Sequence, residues 1–398
     1  MSTEKIGTVA KKREYVVVIR CASSVVFEED RELTVTSPRR DDTPVKLTFT
    51  SRYLDRGFEV RVPDLLQIVA RGTSSGIDQA TQDFINLAGD ILPILAVVSN
   101  AWIGPRQAEL TYDDTPDEEE HEYFQVYLRG EPVEVVAGRN VPIVESGKLI
   151  QAIGASPERD RIMRGVAQYA VALQHWQSGD ETQAVCHLYM GIEALKQVAL
   201  ARHLADRAIT EEALAHEWGF GESGGHMKRQ DFLLAEARKR LLFSRDAKCH
   251  QIVKKVSDDF EHGFVNYGEL RSGAVQVVVQ TARYLRAAIF ASSGLDERTR
   301  STLLADPYAV PLGQLNNVKY LRGRLLGKPP LAASGQAHPF CEWTTKLDRV
   351  IRNDGRHSFQ VSEKIVVRIS DNVKLQHRSL EVWDGSKIVE RPLPEVQN

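Results

Sequence analysis

At 398 residues, 42% hydrophobic and 26% charged, the chain has the composition of a folded protein with room for two or three domains, which excludes disorder as its general state. A formal net charge of -3 offers no global attraction to nucleic acid or to an anionic membrane, so any such contact has to come from a local patch. The four cysteines, Cys21, Cys186, Cys249 and Cys341, lie far apart without zinc or redox spacing and read as buried thiols of an intracellular protein.

The opening residues, MSTEKIGTVAKKREY, have no apolar core behind their charges, so they do not read as a signal peptide and a cytoplasmic location is expected. Tyr15 to Cys21 is a β-branched run, and Arg31 to Ser37, Val45 to Ser51 and Gly57 to Val62 alternate apolar with polar residues. These predict strands of one sheet covered on a single face. From Asp78 the spacing becomes helical, with Phe84, Leu87, Ala88, Ile91 and Leu95 on one stripe that predicts the covering helix. The most apolar stretch, Phe84 to Val98, is short of a bilayer span and contains Asn86, Asp90 and Pro93, as suits a buried helix and not a membrane segment. Asp113 to Glu122 holds seven carboxylates and no base; self-repulsion predicts a solvated loop. Clustered oxygen ligands also suit calcium or magnesium, but the EF-hand pattern is absent, and no metal or cofactor is expected. Phe124, Val126 and Leu128 then alternate as a returning strand would.

Ser156 is placed to be an N-cap with Pro157 in the first turn, ahead of a helical repeat at Ile162, Val166, Tyr169, Ala170 and Leu173. Asp180-Glu181 opens a second helix whose register runs from Val185 to His203. Two more helical stretches, roughly 230 to 258 and 267 to 292, make a bundle of at least four members, with Gly221 to Gly225 as the break between halves. Pro307 to Pro339 reads as a connector carrying Lys319, Arg322, Arg324 and Lys328. Lys364 to Ser370 and Lys374 to Trp383 read as strands, with a hairpin turn at Asp384-Gly385 before Ile388 and Val389. The expected fold class is α+β: a central antiparallel helical bundle (155–295) flanked by an N-terminal sheet domain with its covering helix (1–140) and a C-terminal β-rich segment (340–398), joined by a linker over 296–339.

No phosphate-cradling glycine loop, HExxH, GxSxG elbow or dinucleotide fingerprint is present, which takes weight from the common enzyme classes. GESGGH, with Gly221, Gly224 and Gly225, follows no apolar strand and reads as a turn. The most informative region is LYMGIEALKQVALARHL (Leu188 to Leu204), followed after an insertion by SRDAKCH and SDDFEHGFVNYGELR. This layout resembles the HEPN superfamily of helical domains, particularly its ApeA-like and MauJ-like branches, over residues 155 to 295.

The resemblance implies an arginine-histidine motif that active members use to cleave RNA as dimers. Two places match it. Arg245 to His250 has the spacing and an acidic second position; His262-Gly263 is better placed before the last long helix but lacks the arginine, with Lys255 the nearest base. Either histidine would serve as general acid or base, Arg245 would hold a phosphate oxygen, and Glu193 matches the family's inward polar residue on the second helix. Beside these stand structural readings: His262 as a cap of the helix near Tyr267, Glu193 in a salt bridge, and the motif itself as chance, since Arg352 to His357 fits it equally in a β-rich region. Arg238, Lys239, Arg240, Lys248, Lys254 and Lys255 crowd one stretch as a candidate nucleic-acid surface, with Phe243 almost its only aromatic. The expectation is a non-catalytic HEPN-like binding or assembly protein that contacts RNA or a protein partner and forms a homodimer through its bundle, with no membrane role. The alternative is a metal-independent ribonuclease of phage defence or a toxin system. The MauJ-like branch implies methylamine-utilisation functions without a mechanism.

Overall fold

Alternation in YVVVIRC places Val17, Ile19 and Cys21 on one face of β1 (Arg13–Ser23), where all three are buried. The computed structural model describes residues 12–36, 43–54, 62–116, 120–125, 139–221, 226–263, 266–313, 319–335, 340–353, 356–383, 388–391 and 396–397. After β1 come β2 (Val25–Val26), β3 (Arg31–Val35), β4 (Val45–Leu54) and β5 (Val62–Ser74), then helix α1 (Ile77–Ser99), β6 (Ile103–Asp113) and β7 (Tyr123–Gln125). Six of these strands form an antiparallel sheet in the order β3-β4-β5-β1-β6-β7. Its register sets Val17, Ile19 and Cys21 opposite Ala70, Ile68 and Leu66, and Ile68 opposite Phe49, so one apolar face is continuous across three strands.

Of the strand expected over Gly57 to Val62, residues 57–61 lie outside the described residues; β5 begins at Val62 and pairs with β4 and β1 as far as Ser74. The strand expected around Phe124 pairs with β6 over Tyr123–Gln125, and Val126 and Leu128 lie outside the described residues. Asp113, expected in a solvated loop, is the buried last residue of β6; its carboxylate accepts from Arg13 at 2.7 Å and from the Thr115 backbone N–H at 2.9 Å. Residues 117–119 of that acidic run lie outside the described residues.

Helix α1 lies against the sheet on one side and against helices on the other, which is why an apolar 23-residue helix with Pro93 inside it carries buried residues from Phe84 to Val98 on more than one stripe. Its length and composition would suffice to cross a membrane, but it is the core helix expected from Phe84 to Val98. Then follow β8 (Arg139–Asn140), which pairs with β2, and helices α2 (Ile143–Ala155), α3 (Arg159–Gln174), α4 (Glu181–Arg207), α5 (Glu211–Trp218) and α6 (His226–Ala237). A π-helical turn (Arg238–Leu242) extends α6, and α7 (Ala247–His262), α8 (Tyr267–Ser293) and α9 (Glu297–Leu304) complete the helices. Ser156 is not the N-cap expected of it: it ends α2 and its hydroxyl accepts from the Glu158 N–H in the turn to α3. The single helix expected over 230 to 258 is broken into α6, the π turn and α7.

α3, α4, α7 and α8 pack on one another, and α4 approaches α8 so closely that a Cβ on Gly191 would lie 2.5 Å from Leu285 Cδ2. One hydrophobic core runs without a break from β1 and β5 through α1 into α3, α4, α7, α8 and α9. A smaller core, with Leu200, Leu214, Trp218 and Leu233, joins the end of α4 to α5 and α6. The expected linker over 296–339 contains α9 (Glu297–Leu304) and strand β9 (Lys319–Leu326), whose sequence KYLRGRLL has no period-two pattern to mark it as a strand. β10 (Phe340–Asn353), β11 (Arg356–Arg368), β12 (Lys374–Trp383), β13 (Ile388–Arg391) and β14 (Val396–Gln397) make two three-stranded sheets, β10-β11-β14 and β13-β12-β9, separate from the N-terminal sheet. The β12-β13 pair is the hairpin expected at Asp384-Gly385, residues that lie outside the described ones. The chain is therefore α+β.

Candidate functional site

Tyr189, Glu193 and Lys196 recur at helical spacing and share one face of α4. Facing them is Arg238, the first residue of the π turn. Its Nη1 donates to the Glu193 carboxylate and, at 3.0 Å, to the Tyr189 hydroxyl, and its guanidinium lies 5.8 Å from the centre of the Tyr189 ring. Lys196 adds a second cation to Glu193 at 2.8 Å. Glu193 thus makes the salt bridge that one sequence reading gave it, in a setting that is partly buried.

The π turn ends at Phe243, whose N–H reaches the Arg238 carbonyl. Ser244 and Arg245 follow with φ of 49° and 66°, two consecutive side-chain-bearing residues in the left-handed region. Asp246 then accepts from the Cys249 N–H at 3.0 Å as the N-cap of α7, and from the Tyr284 hydroxyl at 3.1 Å. This capped turn delivers His250 into the interior. It is 8% exposed, its ring stands edge-on to Phe243 at 5.0 Å, and its Nε2 has no hydrogen-bond partner among the described residues. Burial, with the charges of Arg238, Lys239 and Lys254 behind it, pulls the imidazole down to about 4, so it is neutral at physiological pH. The Arg238 Nε is likewise buried without a partner among the described residues.

The sequence pair Arg245 and His250 is not assembled. Arg245 is exposed, and the cations that act on His250 are Arg238, Lys239 and Lys254. His262 is exposed at the last residue of α7, twelve residues beyond His250 and thus about 18 Å along the helix axis. The two histidines cannot share one site. The cap of α8 is Asn266, whose side chain accepts from the Gly268 N–H at 2.9 Å, and not His262. Arg352 and His357 are cross-strand partners in the β10-β11 hairpin, far in kind from a helical motif.

Five of the six cations expected to bind nucleic acid are matched by carboxylates: Arg238 by Glu193, Lys239 and Arg240 by Glu236 at 2.7 Å each, Lys254 by Asp258 at 2.6 Å and Lys255 by Asp259. Arg240 also lies 5.4 Å from the Trp218 ring centre. Lys248 is exposed and, among the described residues, makes no ion pair. Sequence reading set Asp258 and Asp259 against this stretch but not Glu193, which lies on another helix, or Glu236, which lies one turn before it. It passed over Arg238 as the histidine's neighbour because twelve residues and a π turn separate them.

Cys21, Cys186 and Cys249 are buried free thiols, with Cys21 and Cys186 pushed up to about 12 by desolvation. Among the described residues no group of three or more His, Cys, Asp or Glu side chains is arranged to hold a metal ion. No family model matches the chain, and comparison with curated proteins and with solved structures gives no match either.

Proposed function

We propose that this chain is a non-catalytic binding or assembly protein of HEPN-like type, acting as a homodimer whose contact is made by a central bundle of antiparallel helices. The observation that carries the reading is the state of His250: buried, neutral and packed on Phe243, with its arginine neighbour already committed to Glu193. A histidine that moves protons during catalysis needs access to its substrate and a pKa near the working pH. The paired state of the cationic stretch supports the same reading, since a cation held by a carboxylate loses much of its attraction for phosphate. Partner contact then falls to other surfaces, including exposed Met190, Phe260 and Val275 on the helices.

One observation favours the alternative of a metal-independent ribonuclease of phage defence or a toxin system: two buried nitrogens, Arg238 Nε and His250 Nε2, have no partners among the described residues and lie in one neighbourhood. The deciding experiment incubates a mixed pool of structured and unstructured RNA with wild type, His250→Ala and His262→Ala, with divalent metal present and chelated, while light scattering gives the mass. The expected outcome is no cleavage and twice the 44.6 kDa chain mass. Cleavage lost in His250→Ala would replace the binding reading with the nuclease.

A further inference from the structure

A cavity of about 460 Å³ opens between the end of α1, the turn before α7, and α8. Its volume lies within the range of small-molecule sites. Its floor is built around a charge. Arg286, fully buried, donates Nε to the Val97 carbonyl at 2.7 Å, Nη2 to Val98 at 2.8 Å and Nη1 to Tyr308 at 2.9 Å. These bonds take three of the five guanidinium hydrogens and involve no carboxylate. Arg139 donates to the Ser99 and Asn100 carbonyls beside it. Two cations therefore converge on the last carbonyls of one helix, whose dipole offsets only about half a charge. Burial pulls both guanidinium groups down to about 10, still charged at neutral pH.

The rim adds a third cation. Arg283, one turn before Arg286 on α8, lines the cavity, is exposed and makes no ion pair among the described residues. Nearby carboxylates stand outside the lining: Asp246 accepts from Tyr284, Asp306 acts on Arg139 and Glu145 on Tyr308, while the charged side chains that line the cavity are Arg283 and Arg286. The balance facing the cavity is positive. Its other walls are the Tyr169 and Tyr284 rings, Leu304 and Pro311, which suit a flat or apolar body more than an ion alone.

We propose that this cavity binds a small organic anion, with its carboxylate or phosphate on Arg283 and its body between the tyrosines and Leu304. Anion binding here is independent of the bundle-contact reading, since it requires neither RNA nor a second copy. An exposed arginine whose fork can take two anion oxygens is the natural specificity element, and its removal spares every bond that Arg286 makes to the main chain.

The test is thermal unfolding and calorimetric titration of the full chain with AMP, benzoate, inorganic phosphate and uncharged adenosine, each on wild type and on Arg283→Gln. Saturable binding of AMP or benzoate to wild type is expected, with adenosine silent and Arg283→Gln binding about tenfold more weakly while its unliganded melting temperature is unchanged. AMP responding alone assigns a phosphate, and benzoate responding alone a carboxylate. The proposal is overturned if neither AMP nor benzoate binds, if inorganic phosphate accounts for the whole response, or if Arg283→Gln binds as wild type does.

Discussion

An imidazole that must stay uncharged to remain buried makes the protein's stability depend on pH, and His250 gives that dependence a sign. Its pKa is depressed to about 4 in the folded chain and returns to about 6.5 when the chain unfolds. Below the higher value the unfolded state takes up a proton that the folded state refuses, so the contribution is complete above pH 6.5, declines as pH falls, and is gone near 4. Melting temperatures measured across that window should fall more steeply for wild type than for His250→Gln, which cannot titrate. Parallel curves for the two would mean that the ring is reached by water. The sequence did single out His250 and Glu193, and it named Arg238 only as one of a cationic stretch; what it did not supply was the place of that arginine beside the other two. Short motifs are read along the chain, whereas Arg238 meets His250 through a π turn and a left-handed pair at Ser244 and Arg245 that no residue preference announces.

Elements were legible where one periodicity ran unbroken. The inward alternation of β1 and the stripes of α3, α4 and α8 have apolar positions regular enough to fix both type and face. Legibility failed at junctions. Ser156 has the chemistry of a helix start and stands at a helix end, and the charged run RKRLL continues a helical pattern through a place where the backbone takes a wider turn. Gly191 shows what the pattern hides, because in sequence it is only a weak helix former within α4. In the fold it is the point where α4 meets α8, and a Cβ there would sit 2.5 Å from Leu285 Cδ2 and 3.1 Å from Cδ1. Leu285 is fully buried, so any shift of its methyl groups must be taken up by its packed neighbours. Gly191→Ala should therefore cost about 1–3 kcal/mol despite alanine's better helix propensity, as measured by urea unfolding. A stabilised variant would show that the two helices are not locked at this crossing.

At the scale of the whole molecule, the same reasoning turns on α1, which the sequence placed as cover for the sheet and which the fold also uses as a wall for the helices. Asn100 ends it in a left-handed conformation, accepts from the Tyr169 hydroxyl at 2.6 Å and donates to the Tyr308 carbonyl at 2.7 Å. Arg286 reaches from α8 to two carbonyls of its last turn. These bonds tie the sheet to the helices through one helix terminus, and the core is continuous across it. Amide hydrogen exchange should consequently show β1 and α8 opening together at the global unfolding free energy. Arg286→Met should cost about 3–5 kcal/mol, because two buried carbonyls and one partly buried carbonyl lose charge-assisted donors that methionine cannot replace. It should also let the amides of β1 and β5 exchange ahead of those in α8. Separate opening already present in wild type would mean that the sheet and the helices are independent folding units, with the Arg286 contacts a weak bridge between them.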